Sequence, residues 1–258
     1  MLLELLNTKY KNIILKKLYF VSEEKLMKKI NYEEKKLFKM LHKYFWKHNK
    51  NNAELNSKYR TEYKTNQLNN IIKDIKYNKN KYLDIGCEEC IMPLSYGNLL
   101  KIKNINCVNI HNWESSYGLS KKNMNLCNFQ YYDGINLPFN DSSISVISCE
   151  MVLHHIEKTK RNLLLDNMYR VLEKDGLIII REHNLKGKKF DLFLDFIHRY
   201  YDSILLEKFL WIKKYDTHYM TFQELISEFK QHNLKLIKVN FFNKYDNSYI
   251  AIFRKLIK

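Results

Sequence analysis

Hydrophobic positions along the chain follow two different rhythms. Leu26, Ile30, Leu37, Leu41 and Phe45 recur at steps of four and seven beside a Lys-rich face, which is the period of an amphipathic helix. Ser22 is placed to cap that helix, and Glu23 and Glu24 fall in a first turn where negative charge suits the helix dipole. The polar run from His48 to Ser57 reads as a break, followed by a short segment ending near Asn80. From Lys81 onward the apolar runs shorten, and the pattern predicts strands near Tyr82 to Ile85, Ile105 to Ile110, Asn128 to Tyr132, Ser145 to Cys149 and Leu177 to Arg181. Helices fit between them, clearest from Glu157 to Leu172, where Ile156, Leu163, Leu164, Met168 and Leu172 share a face. Thr221 and Glu224 have the spacing of a capping box, so a helix starts there. Leu234 to Phe242 and Ser248 to Phe253 are β-rich runs joined by the turn-like Asn243 to Asn247, a terminal hairpin.

Strands alternating with helices imply crossover connections and a parallel sheet. The expected fold is α/β: a doubly wound, mostly parallel seven-stranded sheet with a C-terminal antiparallel hairpin, preceded by a helical N-terminal region. The domain division expected is a basic helical region over 1–78 and an α/β domain over 79–258, with an aromatic helical insert or lid over 187–220.

Composition narrows the class. At 258 residues, with 45% hydrophobic, 28% charged and 14% aromatic residues, the chain has the profile of a globular protein and not of a disordered or fibrous one. The opening stretch MLLELLNTKYKNIILKKLYF is interrupted by Glu4, Lys9, Lys11, Lys16 and Lys17 and lacks a small-residue cleavage site, so neither membrane insertion nor a secretory signal is expected. Five cysteines, an odd number in a chain this long, favour a reducing, cytoplasmic compartment.

Charge adds a partner class. The formal net charge is +16, and residues 1–80 hold 19 Lys and Arg against 8 Asp and Glu. A basic region attracts polyanions, so RNA is an expected partner through the N-terminal region; a solvated helix face is the plainer reading of the same charges.

Three blocks carry candidate chemistry: KYLDIGCEEC from Lys81, YYDGINLPFNDSSISVISCEMVLHHI from Tyr131, and RVLEKDGLIIIREHN from Arg170. In the first, a hydrophobic strand runs through an acid into Gly86, at a turn into a helix. Such a turn lies at the carboxyl edge of a doubly wound sheet, where exposed backbone amides meet nucleotide-like ligands. In order and spacing the blocks resemble class I S-adenosylmethionine-dependent methyltransferases, of the methyltransferase type 11-like group, over roughly Lys81 to Lys255. The REHN ending with DLFLDFIHRYYD and HYMTFQELISEFKQHNLKLI is similar to methyltransferase domains of large DNA viruses.

The resemblance implies S-adenosylmethionine as cofactor and S-adenosylhomocysteine as product. It puts Asp84, Gly86 and Cys87 at the methionine end, His111 at the ribose, and Asp133 with the Gly134 backbone at the adenine amino group, with Ile110 and Ile135 flanking the ring. The chain departs from the family's pattern at four places. Glu88 and Cys90 stand for the second and third glycines, Ser145 stands for an acid, and His111 stands for the ribose-binding acid, where Asn112 or Glu114 is an alternative acceptor.

Catalytic candidates fall at the carboxyl ends of the fourth and fifth strands: Glu150 and His154 after the fourth, Glu182 and His183 after the fifth. A general base is required only for an acceptor that must lose a high-pKa proton. His155 pairs with His154, and local packing is the plainer reading of that pair. No N-P-P-Y loop, no Pro-Cys nucleophile and no recognisable tetrad of ribose methyltransferases is present, which disfavours those chemistries. Cys87 and Cys90 form a C-x-x-C, but no second such pair follows at zinc-site spacing, so no structural metal is expected and the thiols read as fillers of the turn. Phe193, Phe196, Tyr200, Trp211 and their neighbours suit either base stacking or core. The activity implied is methyl transfer with RNA, including the mRNA cap, as acceptor. The alternatives are an inactive methyltransferase-fold subunit that binds a partner protein or nucleic acid, and a small-molecule methyltransferase.

Overall fold

In the computed structural model the described residues are 53–87, 90–110, 125–185, 217–242 and 248–256, with side chains from residue 61 onward. The helix expected over 22–45, the insert over 187–216, the hairpin turn over 243–247, and Glu88, His111, Asn112 and Glu114 lie outside them. The architecture belongs to the compact unit built from Arg60–Leu185 and Asp216–Lys258.

Its elements in chain order are α1 (Ala53–Ile72), β1 (Lys81–Ile85), α2 (Ile91–Leu100), β2 (Asn104–Ile110), β3 (Asn128–Tyr132), β4 (Ile144–Glu150), a 3-10 turn (Leu153–His155), α3 (Lys158–Val171), β5 (Leu172–His183), α4 (Phe222–Gln231), β6 (Leu234–Phe241) and β7 (Ser248–Lys255). The strands form one sheet in the order β3-β2-β1-β4-β5-β7-β6. β3, β2, β1, β4 and β5 pair in parallel, and β7 is antiparallel to both β5 and β6. This is the expected doubly wound sheet with its C-terminal hairpin.

Side chains alternate across the strands and divide the core into two layers. Leu83, Ile85, Ile147, Ile178 and Ile180 pack with Leu164, Leu165 and Met168 of α3 and Leu225 and Phe229 of α4. Tyr82, Cys107, Val146, Leu177, Ile179 and Ile252 pack on the other side with Leu68, Ile71 and Ile72 of α1 and Tyr96 and Leu100 of α2. The central strands read as continuous apolar runs because both faces are covered. The edge strands β3 and β6 are only half-buried over most of their length.

Two boundaries differ from the sequence reading. The polar run ending at Ser57 is helical from Ala53, because the apolar anchors of that helix, Leu68, Ile71 and Ile72, all sit in its last turns. β5 begins at Leu172, directly after α3, and its register against β4 shifts between Ile144 and Val146. The capping box forms as expected: Thr221 Oγ1 accepts from Glu224 N at 3.2 Å, and Glu224 Oε2 accepts from Thr221 N at 2.7 Å.

Candidate active site at the carboxyl edge of the sheet

Strand order reverses between β1 and β4, since β2 lies on one side of β1 and β5 on the far side of β4. In an open α/β sheet the crevice outside the carboxyl ends of such strands is where ligands bind. The residues that line it come from the turns after β1, β2, β3, β4 and β5.

After β1 the chain turns at Gly86, whose φ is +81° and whose N–H donates to the Val108 carbonyl at 2.9 Å. A Cβ there would lie 2.3 Å from Val152 Cγ2, so the turn and the loop after β4 approach as only glycine permits. Gly86→Ala is expected to lose about 2 to 4 kcal/mol of stability from backbone strain and overpacking together. Thermal and urea denaturation measure it; parent-like stability would show that Val152 yields without cost. Cys90, which precedes α2, keeps a left-handed backbone at φ 56° although it has a side chain. The glycine conformation thus survives the loss of the glycine.

Asp84 is buried at the end of β1 and accepts from Ser148 Oγ, while Tyr82 Oη lies 3.4 Å from the same carboxylate oxygen and 2.5 Å from Ser148 Oγ. Burial pushes the Asp84 carboxyl up to about 7, against the downward pull of the Ser148 hydrogen bond; the nearby Glu150 charge pushes the same way as burial. Cys87 follows Gly86, and hydrogen bonding with Cys107 and Cys90 pulls its thiol down to about 6 against its burial.

At the end of β2 the polar side chain that reaches the β1–α2 turn is Asn109, two residues before His111. Its Nδ2 donates to the Cys87 carbonyl at 3.0 Å, and its Oδ1 accepts from Ile110 N at 2.9 Å. Ile110 is exposed, and its Cγ2 lies 3.4 Å from where a Cβ on Gly134 would be. The Asp133–Gly134 turn is thereby brought beside the end of β2. Asp133 Oδ1 accepts from Ile135 N at 2.8 Å and Asn136 N at 2.6 Å, and Oδ2 accepts from Asn136 Nδ2 at 2.6 Å. These bonds, led by the one from Asn136 N, hold the Asp133 carboxyl below its usual range.

Glu150, a catalytic candidate in the sequence, is held by three side chains. Tyr96 Oη donates to it at 2.5 Å, Lys64 Nζ at 3.1 Å, and Arg181 Nε lies at 3.4 Å. Burial raises its pKa, but Lys64, Arg181 and the Tyr96 hydroxyl outweigh burial and hold it at about 2. A carboxylate so engaged on the α1 and α2 side of the sheet joins β4 to both helices and to β5.

On the other side, Glu182 Oε1 accepts from Leu153 N at 2.8 Å and its Oε2 pairs with His154 Nδ1 at 2.6 Å. Burial raises the Glu182 pKa, with His183 and His155 opposing. His154 packs against His155 and His183, with ring centroids 4.0 and 4.8 Å away, and stacks on Tyr219 at 5.4 Å. The structure therefore gathers Glu182, His154 and His183, which the sequence singles out, and adds Tyr219 from the segment leading into α4. Arg161 fastens this group from behind. It binds Glu228 through Nε and Nη2 at 2.8 and 2.9 Å, and its Nη1 donates to the carbonyls of Leu153, Ile156 and His218.

Asn109, Arg161 and Cys107 are the residues here that sequence reasoning missed, while Tyr219 belongs to the aromatic set the sequence offers for stacking or core. The signal for Asn109 was present: it is the last polar residue of β2 on the same alternating face as His111, immediately before the apolar Ile110.

The positions fit an adenosyl cofactor at two points, a turn closed to any Cβ and a buried acid beside it, and the exposed Ile110 lies next to the Asp133–Gly134 turn at the same edge.

Residues 83–180 match the family described as Methyltransferase domain. No curated protein matches the chain. Among solved structures, the chain is similar to S-adenosylmethionine-dependent methyltransferases of Methanosarcina mazei, at 18% identity and a TM-score of 0.49 over 70% of this chain and 95% of that one. It is similar to a chain in the complex of the Haloferax volcanii Trm112 methyltransferase activator with a methyltransferase, at 10% identity and a TM-score of 0.52 over 77% and 94% of the two chains. It is also similar to the YcgJ protein of Bacillus subtilis, at 15% identity and a TM-score of 0.52 over 76% and 100%. At these identities the likeness is one of fold, and it rests on the last two.

Proposed function

We propose that the protein is an S-adenosylmethionine-dependent methyltransferase that transfers a methyl group to RNA, a reading that starts from the match of residues 83–180 to the methyltransferase domain family. The family's cofactor, S-adenosylmethionine, supplies an electrophilic methyl on a sulfonium. The observation that carries the reading is the gathering of Asp84, Gly86, Asn109, Ile110 and Asp133 at the switch point of the sheet.

Each of these residues has a task. The Gly86 turn gives close backbone approach, and Asp84 offers a carboxylate to an ammonium group. Asn109, at the end of β2, offers a ribose hydroxyl a polar partner beside the one the sequence reading gives to His111. Ile110 covers an adenine face, and Asp133 accepts from the adenine amino group on lone pairs its own turn leaves unused. On the acceptor side, Glu182 orients His154 and the turn after β4, while His183 and Tyr219 bound the space where an acceptor is aligned with the methyl.

RNA as the acceptor is supported by the net charge of +16, with 19 Lys and Arg against 8 Asp and Glu in residues 1–80. Labelled methyl transfer to RNA tests it directly, together with the salt dependence of RNA binding. A logarithmic slope of about −0.7 per phosphate neutralised is expected on single strands. Transfer to a small molecule with none to RNA would move the assignment to that class. No cofactor binding, in calorimetry with S-adenosylmethionine and S-adenosylhomocysteine, would leave a methyltransferase-fold subunit that binds a partner.

Asp84 gives the binding a pH signature. Its carboxyl is half protonated near 7, and a cation seated against it favours the ionised form, so binding releases protons below that pH. Affinity for S-adenosylmethionine is expected to weaken as pH falls below about 7, by up to about tenfold per unit, and to level off above it. Calorimetry in buffers of different ionisation enthalpy measures the proton release, and a flat affinity between about pH 5.5 and 7.5 would remove Asp84 from the role.

A further inference from the structure

Four of the five cysteines converge beneath the β1–α2 turn. The Sγ atoms of Cys87, Cys90 and Cys107 lie within 4.8 Å of one another, and all three residues are buried. Cys127, half-buried in the turn before β3, stands outside that group of three, and its thiol interacts with those of Cys107 and Cys90. The four come from separate places in the chain: the β1–α2 turn, the residue preceding α2, the middle of β2 and the lead into β3. All five cysteines are thiols, and Cys149 lies apart on β4.

We propose that Cys87, Cys90, Cys107 and Cys127 form a four-thiolate site for a soft divalent cation, zinc first. Tetrahedral zinc with bonds of about 2.3 Å sets its sulfurs about 3.8 Å apart, so closing Cys87, Cys90 and Cys107 around an ion asks for a contraction of about 1 Å, and the turn before β3 brings Cys127 in as the fourth ligand. An all-sulfur donor set selects zinc over magnesium or calcium, which require oxygen ligands. Binding is acid–base chemistry with no change of oxidation state: each thiol gives its proton to solvent and its sulfur donates an electron pair to the metal, up to four protons per ion. The ion would clip the β1–α2 turn to β2 and to the start of β3 at the place where Cys90 and Glu88 stand in for glycines. The site holds or fails independently of methyl transfer.

The test uses the full-length protein, prepared reduced and free of oxygen, titrated with Zn²⁺ and with Co²⁺. One equivalent of zinc per chain is expected, retained against a chromophoric chelator, with proton release and a raised unfolding temperature. Cobalt is expected to give thiolate charge-transfer absorption and tetrahedral d–d bands. Cys107→Ser and Cys127→Ser should each weaken binding at least tenfold and change the cobalt spectrum, while Cys149→Ala should keep both. If Cys107→Ser fails to fold, Cys127→Ser, at a half-buried turn position, still decides. Zinc well below one equivalent in reduced protein, a cobalt spectrum unchanged in Cys127→Ser, or a disulfide among the four in protein isolated without reductant would each overturn the site.

Discussion

Replacing Arg181 with methionine is expected to remove about 3 to 5 kcal/mol of folding stability, read as a lowered urea midpoint. The guanidinium is fully buried on β5 and has no solvent on any side. Its Nη2 donates to Gln67 Oε1 at 2.6 Å, its Nη1 to Ser248 Oγ at 3.1 Å, and its Nε lies 3.4 Å from Glu150. Phe242 covers it, with the ring centroid 5.2 Å away. Methionine fills much of the volume but leaves Glu150 with Lys64 alone as counter-charge, and a buried carboxylate with half its compensation is costly.

The same pair sets a pH dependence. Glu150 titrates at about 2 in the folded chain, below the value of about 4.3 for an unfolded one. Its contribution is present above about pH 4.3 and is lost as pH falls toward 2. In Arg181→Met the folded pKa rises, so this share of acid resistance shrinks. Asp84 works in the opposite sense: its raised pKa means that ionisation opposes folding, and stability declines as pH climbs from about 4 to 7. Substituting Asp84 with asparagine removes that decline, which separates the two contributions in a stability–pH profile.

Arg161→Met is expected to cost a similar amount, about 3 to 5 kcal/mol, for a related reason. The fork between Arg161 and Glu228 is bidentate and buried, with side-chain exposures of 4% and 7%, so removing one partner strands the other. Replacing both residues with apolar ones removes the stranded charge, and Arg161→Met with Glu228→Leu should be more stable than Arg161→Met alone by at least about 1 kcal/mol. A double variant no better than the single one would show that the three carbonyl contacts of Arg161 matter more than its carboxylate. Those contacts tie the turn carrying His154 to the segment carrying Tyr219, so the single variant is also expected to lose methyl transfer while keeping cofactor affinity. Chemical denaturation and paired calorimetry and transfer assays check these outcomes.

The strands were legible because their signals are local. Apolar runs such as Tyr82–Ile85 and Ser145–Cys149 declare themselves by length and composition, and Thr221 with Glu224 marks a helix start within four residues. The sites were less legible because they join distant places. Arg161 and Glu228 are 67 residues apart, and nothing in RNLLLDNMYR tells that its first arginine is buried and its second is not. Glu150 and Glu182 look alike in sequence, each an acid at a strand end. Tyr96, Lys64 and Arg181 claim one for the scaffold, while Leu153 and His154 claim the other for the acceptor side. Cys107 and Cys127 are isolated in sequence and meet Cys87 and Cys90 only because β2 and β3 pair beside β1.

β7, which follows β6 in the chain, slots between β5 and β6 and does not extend the sheet at its edge. Until Ser248–Lys255 has left the ribosome, β5 therefore offers an open hydrogen-bonding edge along Leu177 to Ile180, the most apolar stretch of the domain. Nascent chains stalled or cut before residue 248 are sticky species for chaperones and proteases to clear.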